Sequence, residues 1–235
     1  MTKIDVTMGT YKRPQQFQDS VRSLNELNNA EEIKLFIMDG NDDDAVSEFI
    51  ESNEWRFKIK IFKESNEIKE KHRGRWPIIY NFLMKQGKSP FITFWSDDIY
   101  PNKDCFEIGL KRFKDADVGG VAFAWQDGVD GKYLVYGTEL HKQPMINFGL
   151  IRRDVMDAIG FIDEQYSFYN ADQDLSLKIW YKGFKLLKEA ACKVTHYSGQ
   201  KSDNIYRSTQ SYAADSRLFA SKWSYENVKK RKVKL

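Results

Sequence analysis

The amino-acid sequence predicts an α/β fold with a mostly parallel central sheet flanked by helices. Strand-like and helix-like segments alternate through the first half of the 235 residues. Repeated strand–helix–strand units imply parallel strands with helices on both faces. In the second half, apolar segments with short connections favour a smaller antiparallel or mixed region. The length is enough for one large domain with a full core.

The first half divides into four strands and three helices. Apolar side chains recur on one face of the first helix, at positions Phe17, Val21, Leu24 and Leu27. Pro77 stands where the first turn of a helix tolerates proline. We predict strands over residues 4–8, 33–38, 57–62 and 91–95, and helices over residues 15–27, 45–52 and 77–86.

The second half adds four strands and three helices. Gly183 lies just past one apolar helical segment, where glycine often ends a helix. We predict strands over residues 118–125, 133–138, 145–151 and 185–196, and helices over residues 154–159, 172–182 and 204–223.

Composition excludes several classes of protein. Charged residues make up 30% and aromatic residues 14%, as in a globular chain, and the net charge of +3 is too small to argue for a nucleic-acid partner. The N-terminus has no apolar signal region, and no run of 18 apolar residues occurs. Cys105 and Cys192 lack ligand-like spacing, which favours a reducing compartment. We therefore expect a soluble, cytoplasmic protein without a transmembrane segment.

The end of the chain is strongly basic. Five of the six residues 229–234 are lysine or arginine. Such a segment can contact anionic lipid at a membrane surface, but it can equally be a solvated terminus. Both interpretations stay open.

An apolar strand ends abruptly in two carboxylates, Asp97 and Asp98, and Pro101 follows them. The carboxyl end of such a strand is where open α/β sheets bind ligands. Paired carboxylates there suit a hard divalent cation that bridges to phosphates. A solvated turn after the strand is the alternative, because Asp and Pro are common turn residues.

Three further titratable residues stand at predicted strand ends or at a helix start. Asp39 and His196 follow strands, and Asp172 opens a helix. In a parallel sheet, Asp39 and Asp98 share the ligand-binding edge. Each residue also has a structural explanation. Asp39 can belong to a turn. Asp172 can be an acidic residue that stabilises a helix N-terminus, and His196 can be a hydrogen-bonded core histidine.

The ordered set of motifs resembles glycosyltransferases of the GT-A (Rossmann-like) fold, closest to the inverting, nucleotide-sugar-dependent family 2. The resemblance runs from about Ile4 to His196. The motifs that carry it are Thr10-Tyr11-Lys12-Arg13-Pro14, Met38-Asp39-Gly40-Asn41-Asp42-Asp43, Ser96-Asp97-Asp98, Gly160-Phe161-Ile162-Asp163-Glu164 and Ala171-Asp172-Gln173-Asp174-Leu175.

The resemblance implies a metal-assisted sugar transfer from a nucleotide-diphosphate donor. It assigns nucleotide-sugar binding to Thr10, Tyr11, Arg13, Asp39, Arg73, Arg75 and Asp97. Tyr11 would stack on the base, and Asp98 and His196 would hold Mn²⁺ or Mg²⁺. One arginine, Arg73 or Arg75, would assist the diphosphate.

Asp172 matches the general base of the family. It would deprotonate a hydroxyl of a glycan or lipid-linked acceptor, which attacks the anomeric carbon with inversion and without a covalent intermediate. Three departures from the family pattern stand out. Ser96 replaces the first Asp of the metal motif, Ala171 replaces a Glu before the base, and residues 72–76 match the usual Ala-Arg-Asn loop only loosely.

The domain division follows from the same resemblance. A GT-A domain would span residues 1–203, with a nucleotide-binding half (1–101) and an acceptor half (102–203), and residues 204–235 would form a helical, basic tail. Two alternatives to the transferase are a nucleotidyltransferase and a non-catalytic carbohydrate-binding protein on the same fold. The first loop has no Gly-rich sequence of the kind that cradles a triphosphate.

Overall fold

The computed structural model describes residues 2–66, 69, 75–128, 130–197 and 208–235. Eight strands form one sheet in the order β3-β2-β1-β4-β7-β6-β8-β5. The strands are β1 (Ile4–Thr10), β2 (Ile33–Asp39), β3 (Lys58–Lys63), β4 (Phe91–Ser96), β5 (Ile99–Pro101), β6 (Val118–Asp127), β7 (Gly149–Arg152) and β8 (Lys185–His196).

Helices flank this sheet. They are α1 (Pro14–Asn25), α2 (Ala45–Glu51), α3 (Trp76–Gln86), α4 (Cys105–Leu110), α5 (Arg153–Ile159), α6 (Ala171–Tyr181), α7 (Thr209–Lys222) and α8 (Tyr225–Lys229). A short 3₁₀ turn, Ala30–Glu32, precedes β2. Pro14 stands in the first turn of α1 and Pro77 in that of α3, where the missing amide hydrogen costs no hydrogen bond.

The sheet has a parallel half and a mixed half, as the sequence predicts. β3, β2, β1 and β4 run parallel, and β6 pairs with β8 in parallel. β7 is antiparallel to both β4 and β6, and β5 is antiparallel to β8. The α/β fold class with a mostly parallel sheet is therefore confirmed.

Two large apolar clusters pack around the sheet. One contains α1 and α2 with alternate residues of β1, among them Ile4, Val6 and Met8. The other contains α3, α5 and α6, and it also takes in Phe219 and Trp223 from the C-terminal segment. Because Trp223 is fully buried, α7 is packed onto the second cluster rather than held apart from it.

Several predicted elements differ from the structure. Residues 133–138 do not form a strand, and their backbone pairing is limited to isolated bridges at Leu134 and Gly137 and single hydrogen bonds such as that from the amide of Met145 to the carbonyl of Tyr136. Leu134 stays 49% exposed, so the β-favouring composition lacks the packed surface that stabilises a strand. The predicted strand 145–151 shrinks to β7, and β5, α4 and α8 were not predicted. Residues 204–207, at the start of the predicted last helix, lie outside the described residues.

Candidate active site

The carboxyl ends of β1, β2 and β4 meet at one edge of the sheet. Thr10 pairs with Asp39, and Gly9 pairs with Ser96. Asp97 and Asp98 follow directly after β4. The parallel register therefore brings Asp39 and the Asp97–Asp98 pair to the same edge, where open α/β sheets bind ligands.

Arg13 connects the two carboxylates beyond β4. Its Nη2 lies 2.9 Å from Oδ1 of Asp97, and its Nη1 donates to Oδ2 of Asp98. Arg13 immediately precedes Pro14, the first residue of α1, so the helix start places the guanidinium at this edge. Asp97 is fully buried and Asp98 is 4% exposed, which makes this a largely desolvated cluster of charged groups.

Burial and neighbouring charges separate these two carboxyls. Burial raises the pKa of Asp97 to about 7, although the charge of Arg13 acts in the opposite direction. For Asp98, burial alone would raise the pKa. The hydrogen bond from His196 and the charge of Arg13 outweigh that effect and lower the pKa to about 2. Asp98 is thus held as an anion.

His196 reaches Asp98 through β5, the short strand that was not predicted. Ile99 of β5 pairs with His196 of β8, and the amide of Tyr197 donates to the carbonyl of Asp98 over 2.9 Å. Nε2 of His196 lies 3.5 Å from Oδ2 of Asp98, and its Nδ1 lies 3.1 Å from Oδ1 of Asp127. Two potential metal ligands therefore face each other, with a carboxylate behind the imidazole.

These groups fit a divalent cation that takes only two ligands from the protein. A carboxylate oxygen and an imidazole nitrogen suit Mn²⁺, and Mg²⁺ would favour the oxygen. The Ser96 hydroxyl donates to Oδ1 of Asp98 and adds no negative charge. Among the described residues, no group of three His, Cys, Asp or Glu side chains could hold a metal, so the remaining ligands would have to come from a bound donor and water.

The loop after β1 faces the end of β2. Tyr11 is 41% exposed, with Nζ of Lys12 5.0 Å from its ring centroid, whereas Thr10 is buried. Asp39 is fully buried, and it accepts hydrogen bonds from Asn41 (2.8 and 2.9 Å) and from Nζ of Lys63 (2.9 Å). The tyrosine ring is partly exposed with the ammonium of Lys12 over it, while Asp39 is engaged by internal partners.

Asp172 lies in the first turn of α6, far along the sequence from Asp97 and Asp98. Nδ2 of Asn147 donates to its Oδ2 over 2.5 Å, and the amide of Gln173 donates to its Oδ1 over 2.8 Å. Asn170, just before the helix, adopts a left-handed conformation with φ of 60°. Burial raises the pKa of Asp172 to about 6 against the effect of these hydrogen bonds. A carboxyl in this range can accept a proton near neutral pH.

Comparison with protein families identifies the domain. The model described as Glycosyl transferase family 2 matches residues 5–174, well over half of the chain. The chain belongs to this family. The matched residues include the acidic edge and Asp172, and they end before α7 and α8. A comparison with curated protein sequences finds no match.

Solved structures share the GT-A fold of family 2 enzymes. A mannosyltransferase, PcManGT from Pyrobaculum calidifontis, in complex with GDP-Man and Mn²⁺, is 13% identical, with a TM-score of 0.67 over 85% of this chain and 58% of that chain. S. aureus TarS 1–349 in complex with UDP-GlcNAc is 17% identical, with a TM-score of 0.71 over 94% of this chain and 66% of that one. This family 2 chain thus spans about three fifths to two thirds of the length of these two structures.

The two arginines predicted to assist the diphosphate have different outcomes. Arg73 lies outside the described residues. Arg75, at the start of α3, donates through Nη2 to the carbonyls of Glu164 and Tyr166, the latter over 3.4 Å. In this structure Arg75 therefore contacts the loop that leads to α6, and its predicted role toward a donor stays a prediction.

Three polar residues near the site were not singled out from the sequence. Asn147 contacts Asp172, Asp127 contacts His196, and Glu64 lies beside Gly40, where an added Cβ would come within 3.0 Å of its Oε2. Asn147 fell within a predicted strand, and Asp127 followed another. No residue spacing indicates these contacts, because they depend on which distant segments pack together.

No helix within the described residues is long and apolar enough to cross a membrane.

Proposed function

We propose that this family 2 protein transfers a sugar from a nucleoside-diphosphate donor to a hydroxyl of a glycan or lipid-linked acceptor, by a single displacement with inversion. The observation that carries this proposal is Asp172, a partly exposed carboxylate near a helix start with its pKa raised to about 6. The same domain has a separate acidic edge, where Arg13 pairs with Asp97 and Asp98 and where a bound cation would meet the diphosphate of the donor.

The donor would bind at the edge formed by β1, β2 and β4. Tyr11 would stack on the base, with Thr10 beside it. Asp39, which is fully buried against Asn41 and Lys63, would exchange one of these donors for the base or ribose. Asp97 would contact the ribose or sugar, and Arg13 would pair with diphosphate oxygens. Arg73 and Arg75 remain further candidates for that pairing. The nucleotide sugars named for PcManGT and TarS support this class of donor.

Asp98 and His196 would hold Mn²⁺ or Mg²⁺ together with donor oxygens. When bound, such a cation offsets the negative charge that develops on the leaving diphosphate. Asp127, 3.1 Å behind Nδ1 of His196, would keep Nε2 available on the side of Asp98. Metal use is supported by this arrangement and by the Mn²⁺ named for PcManGT.

Asp172 would act as the general base. It takes the proton from the acceptor hydroxyl while that oxygen forms a bond to the anomeric carbon. On the opposite face of the sugar, the bond from the anomeric carbon to the diphosphate oxygen breaks, and the nucleoside diphosphate leaves with its electron pair. Asn147 and the amide of Gln173 each bond one carboxylate oxygen, which fixes the orientation of the base.

One assay tests the reaction class. The protein is incubated with a panel of nucleotide sugars, Mn²⁺ and candidate glycan acceptors, and release of nucleoside diphosphate is measured with and without EDTA. Release that EDTA suppresses supports a metal-dependent transferase. Pyrophosphate release from a nucleoside triphosphate would instead indicate a nucleotidyltransferase, and binding of the sugar without any release would indicate a carbohydrate-binding protein. The anomeric configuration of the product, determined by NMR, tests inversion.

We further propose a cytoplasmic location with peripheral contact at a membrane surface. The basic side chains of Lys229, Lys230, Arg231, Lys232 and Lys234 are all exposed. Cationic side chains near a surface attract anionic lipid by about 1 kcal/mol each. Co-sedimentation with vesicles containing phosphatidylserine, and not with phosphatidylcholine vesicles, tests this contact.

A further inference from the structure

A buried aspartate on α7 binds the loop that leads to the base. Asp215 is 2% exposed, and its carboxylate accepts hydrogen bonds from three consecutive backbone amides. These are the amides of Ser167 (2.9 Å), Phe168 (2.8 Å) and Tyr169 (2.8 Å). Charge-assisted bonds of this kind are stronger than bonds between neutral groups. Asp215 therefore determines the path of residues 167–169.

This loop ends where α6 begins. Asn170 follows with its left-handed backbone, and its Nδ2 lies 3.2 Å from the hydroxyl of Ser216, the neighbour of Asp215. Two residues later comes Asp172. A left-handed asparagine at the helix start leaves little freedom in how the chain enters α6. A shift of residues 167–169 would therefore also shift Asp172.

Lys222, the last residue of α7, and Trp223 directly after it contact the two ends of this segment. Nζ of Lys222 lies 2.8 Å from Asp163 on one side of the loop and 2.8 Å from Asp174 on the other. The indole of Trp223 also donates to Asp174 over 2.7 Å. The segment from residue 163 to residue 174 is thus fixed at its start, middle and end by a helix beyond the residues that match the family.

We propose that Asp215 is a positioning residue for Asp172, a role that rests on the proposed function. Asp215 acts through the loop and does not contact the substrate. It holds the loop so that the carboxylate of Asp172 meets Nδ2 of Asn147 and faces the acceptor. A misplacement of about 1 Å at a reacting group can lower the rate about 100-fold.

Replacement of Asp215 by Asn tests this role in the full chain. Asparagine has nearly the same shape but keeps only one acceptor oxygen. Its side-chain amide nitrogen carries hydrogens and cannot accept a hydrogen bond from a backbone N–H. We expect kcat for sugar transfer to fall about 10- to 100-fold. The donor KM and the affinity for nucleoside diphosphate should stay within about twofold, because the donor edge lies on other elements. Amide hydrogen exchange at residues 167–169 should accelerate.

Two further variants complete the experiment. Glu226→Gln removes an exposed carboxylate from α8 and should leave all four measurements unchanged. Ser216→Ala removes only the bond to Asn170 and should give a smaller fall in kcat, which keeps the test open if Asp215→Asn does not fold.

The outcomes separate the inference from the proposed function. Unchanged kcat and unchanged exchange in Asp215→Asn, beside an active wild type, would overturn the positioning role and leave the transferase assignment intact. A parallel loss of kcat and nucleotide affinity would also overturn it, since it would indicate general destabilisation. A wild type that releases no nucleoside diphosphate from any donor would overturn the transferase assignment itself.

Discussion

Asp98 and Asp172 are the same residue type in two different electrostatic environments. Asp98 is buried and Asp172 is partly exposed, and for both the loss of surrounding water raises the pKa of the carboxyl. Asp98 receives hydrogen bonds from ionic or polar side chains, among them Arg13, and its pKa falls to about 2. Asp172 receives only neutral amide hydrogens, and its pKa rises to about 6.

This difference makes the two aspartates suited to two different chemical roles. A permanently anionic carboxylate suits the binding of a cation or a positively charged side chain. A carboxylate that is ionised at neutral pH, and whose pKa lies only about one unit below it, suits proton transfer. The charge of the nearest donors, rather than burial alone, decides which role each aspartate can take.

The largest effect should come from replacing Asp172, the proposed general base. Asp172→Asn keeps the shape and the nearby hydrogen-bonding groups but cannot accept a proton. We expect transfer to fall about 1,000-fold, within the range for general base catalysis, with donor binding unchanged. Steady-state kinetics and calorimetry with the donor measure the two quantities. Equal transfer rates for wild type and variant would show that Asp172 is not the base.

The matching change on the other side of the comparison is Asp98→Asn. It removes the anion that faces Arg13 and His196. We therefore expect the affinity for Mn²⁺ in the presence of nucleotide to fall by about tenfold or more. Electron paramagnetic resonance of free Mn²⁺ gives the affinity. A variant that binds the ion as tightly as wild type would place the metal elsewhere.

The pH dependence of transfer should follow Asp172 and not Asp98. The base works when it is deprotonated, so kcat should rise with pH through about 6 and level off above that. At pH 5 the rate should be about tenfold below its plateau, because about nine tenths of the carboxyl is then protonated. A profile from pH 5 to pH 8 measures this, and a rate that falls as pH rises through 6 would contradict it.

The smallest effect should come from Asn147→Leu. Loss of the hydrogen bond to Oδ2 removes an interaction that lowers the pKa of Asp172, so the acidic limb of the profile should move up by about one unit. At pH 7 the protonation change alone reduces kcat about twofold. Gln143→Leu, in the same loop but bonded to His141, is the matched control. An unmoved acidic limb would mean that Asn147 does not act on the base.

The regular part of the fold followed from local sequence. β1, β2 and β4 are apolar runs, and β8 has the predicted bounds, Lys185–His196. Each apolar run buries its own side chains, so its strand is visible without knowledge of its neighbours. β5 has only three residues and exists because it pairs with the end of β8, a partner almost 100 residues away. Long-range pairing of this kind leaves no local pattern.

The residues of the candidate site also fall into two groups, those that local sequence indicates and those that depend on long-range packing. Asp39, Asp97, Asp98, Asp172 and His196 stand at strand ends or at a helix start, which is why their order along the chain indicated a site. Their assigned roles remain predictions. Asn147 and Asp215 could not be found, because each acts on a segment 25 or more residues away. Only packing of the second cluster brings them to the residues before and within α6.

The salt bridges of Arg13 have a consequence for how this protein matures. In many small metal-binding domains the ion supplies the charge that lets acidic ligands come together, so the chain folds only when the ion is present. Here a guanidinium from the neighbouring loop already compensates Asp97 and Asp98. The guanidinium of Arg13 serves as the counterion of the two carboxylates, so the acidic pocket can form in a newly made chain without a bound metal ion. With the metal use proposed above, a shortage of the ion would lower turnover and leave the amount of folded protein unchanged.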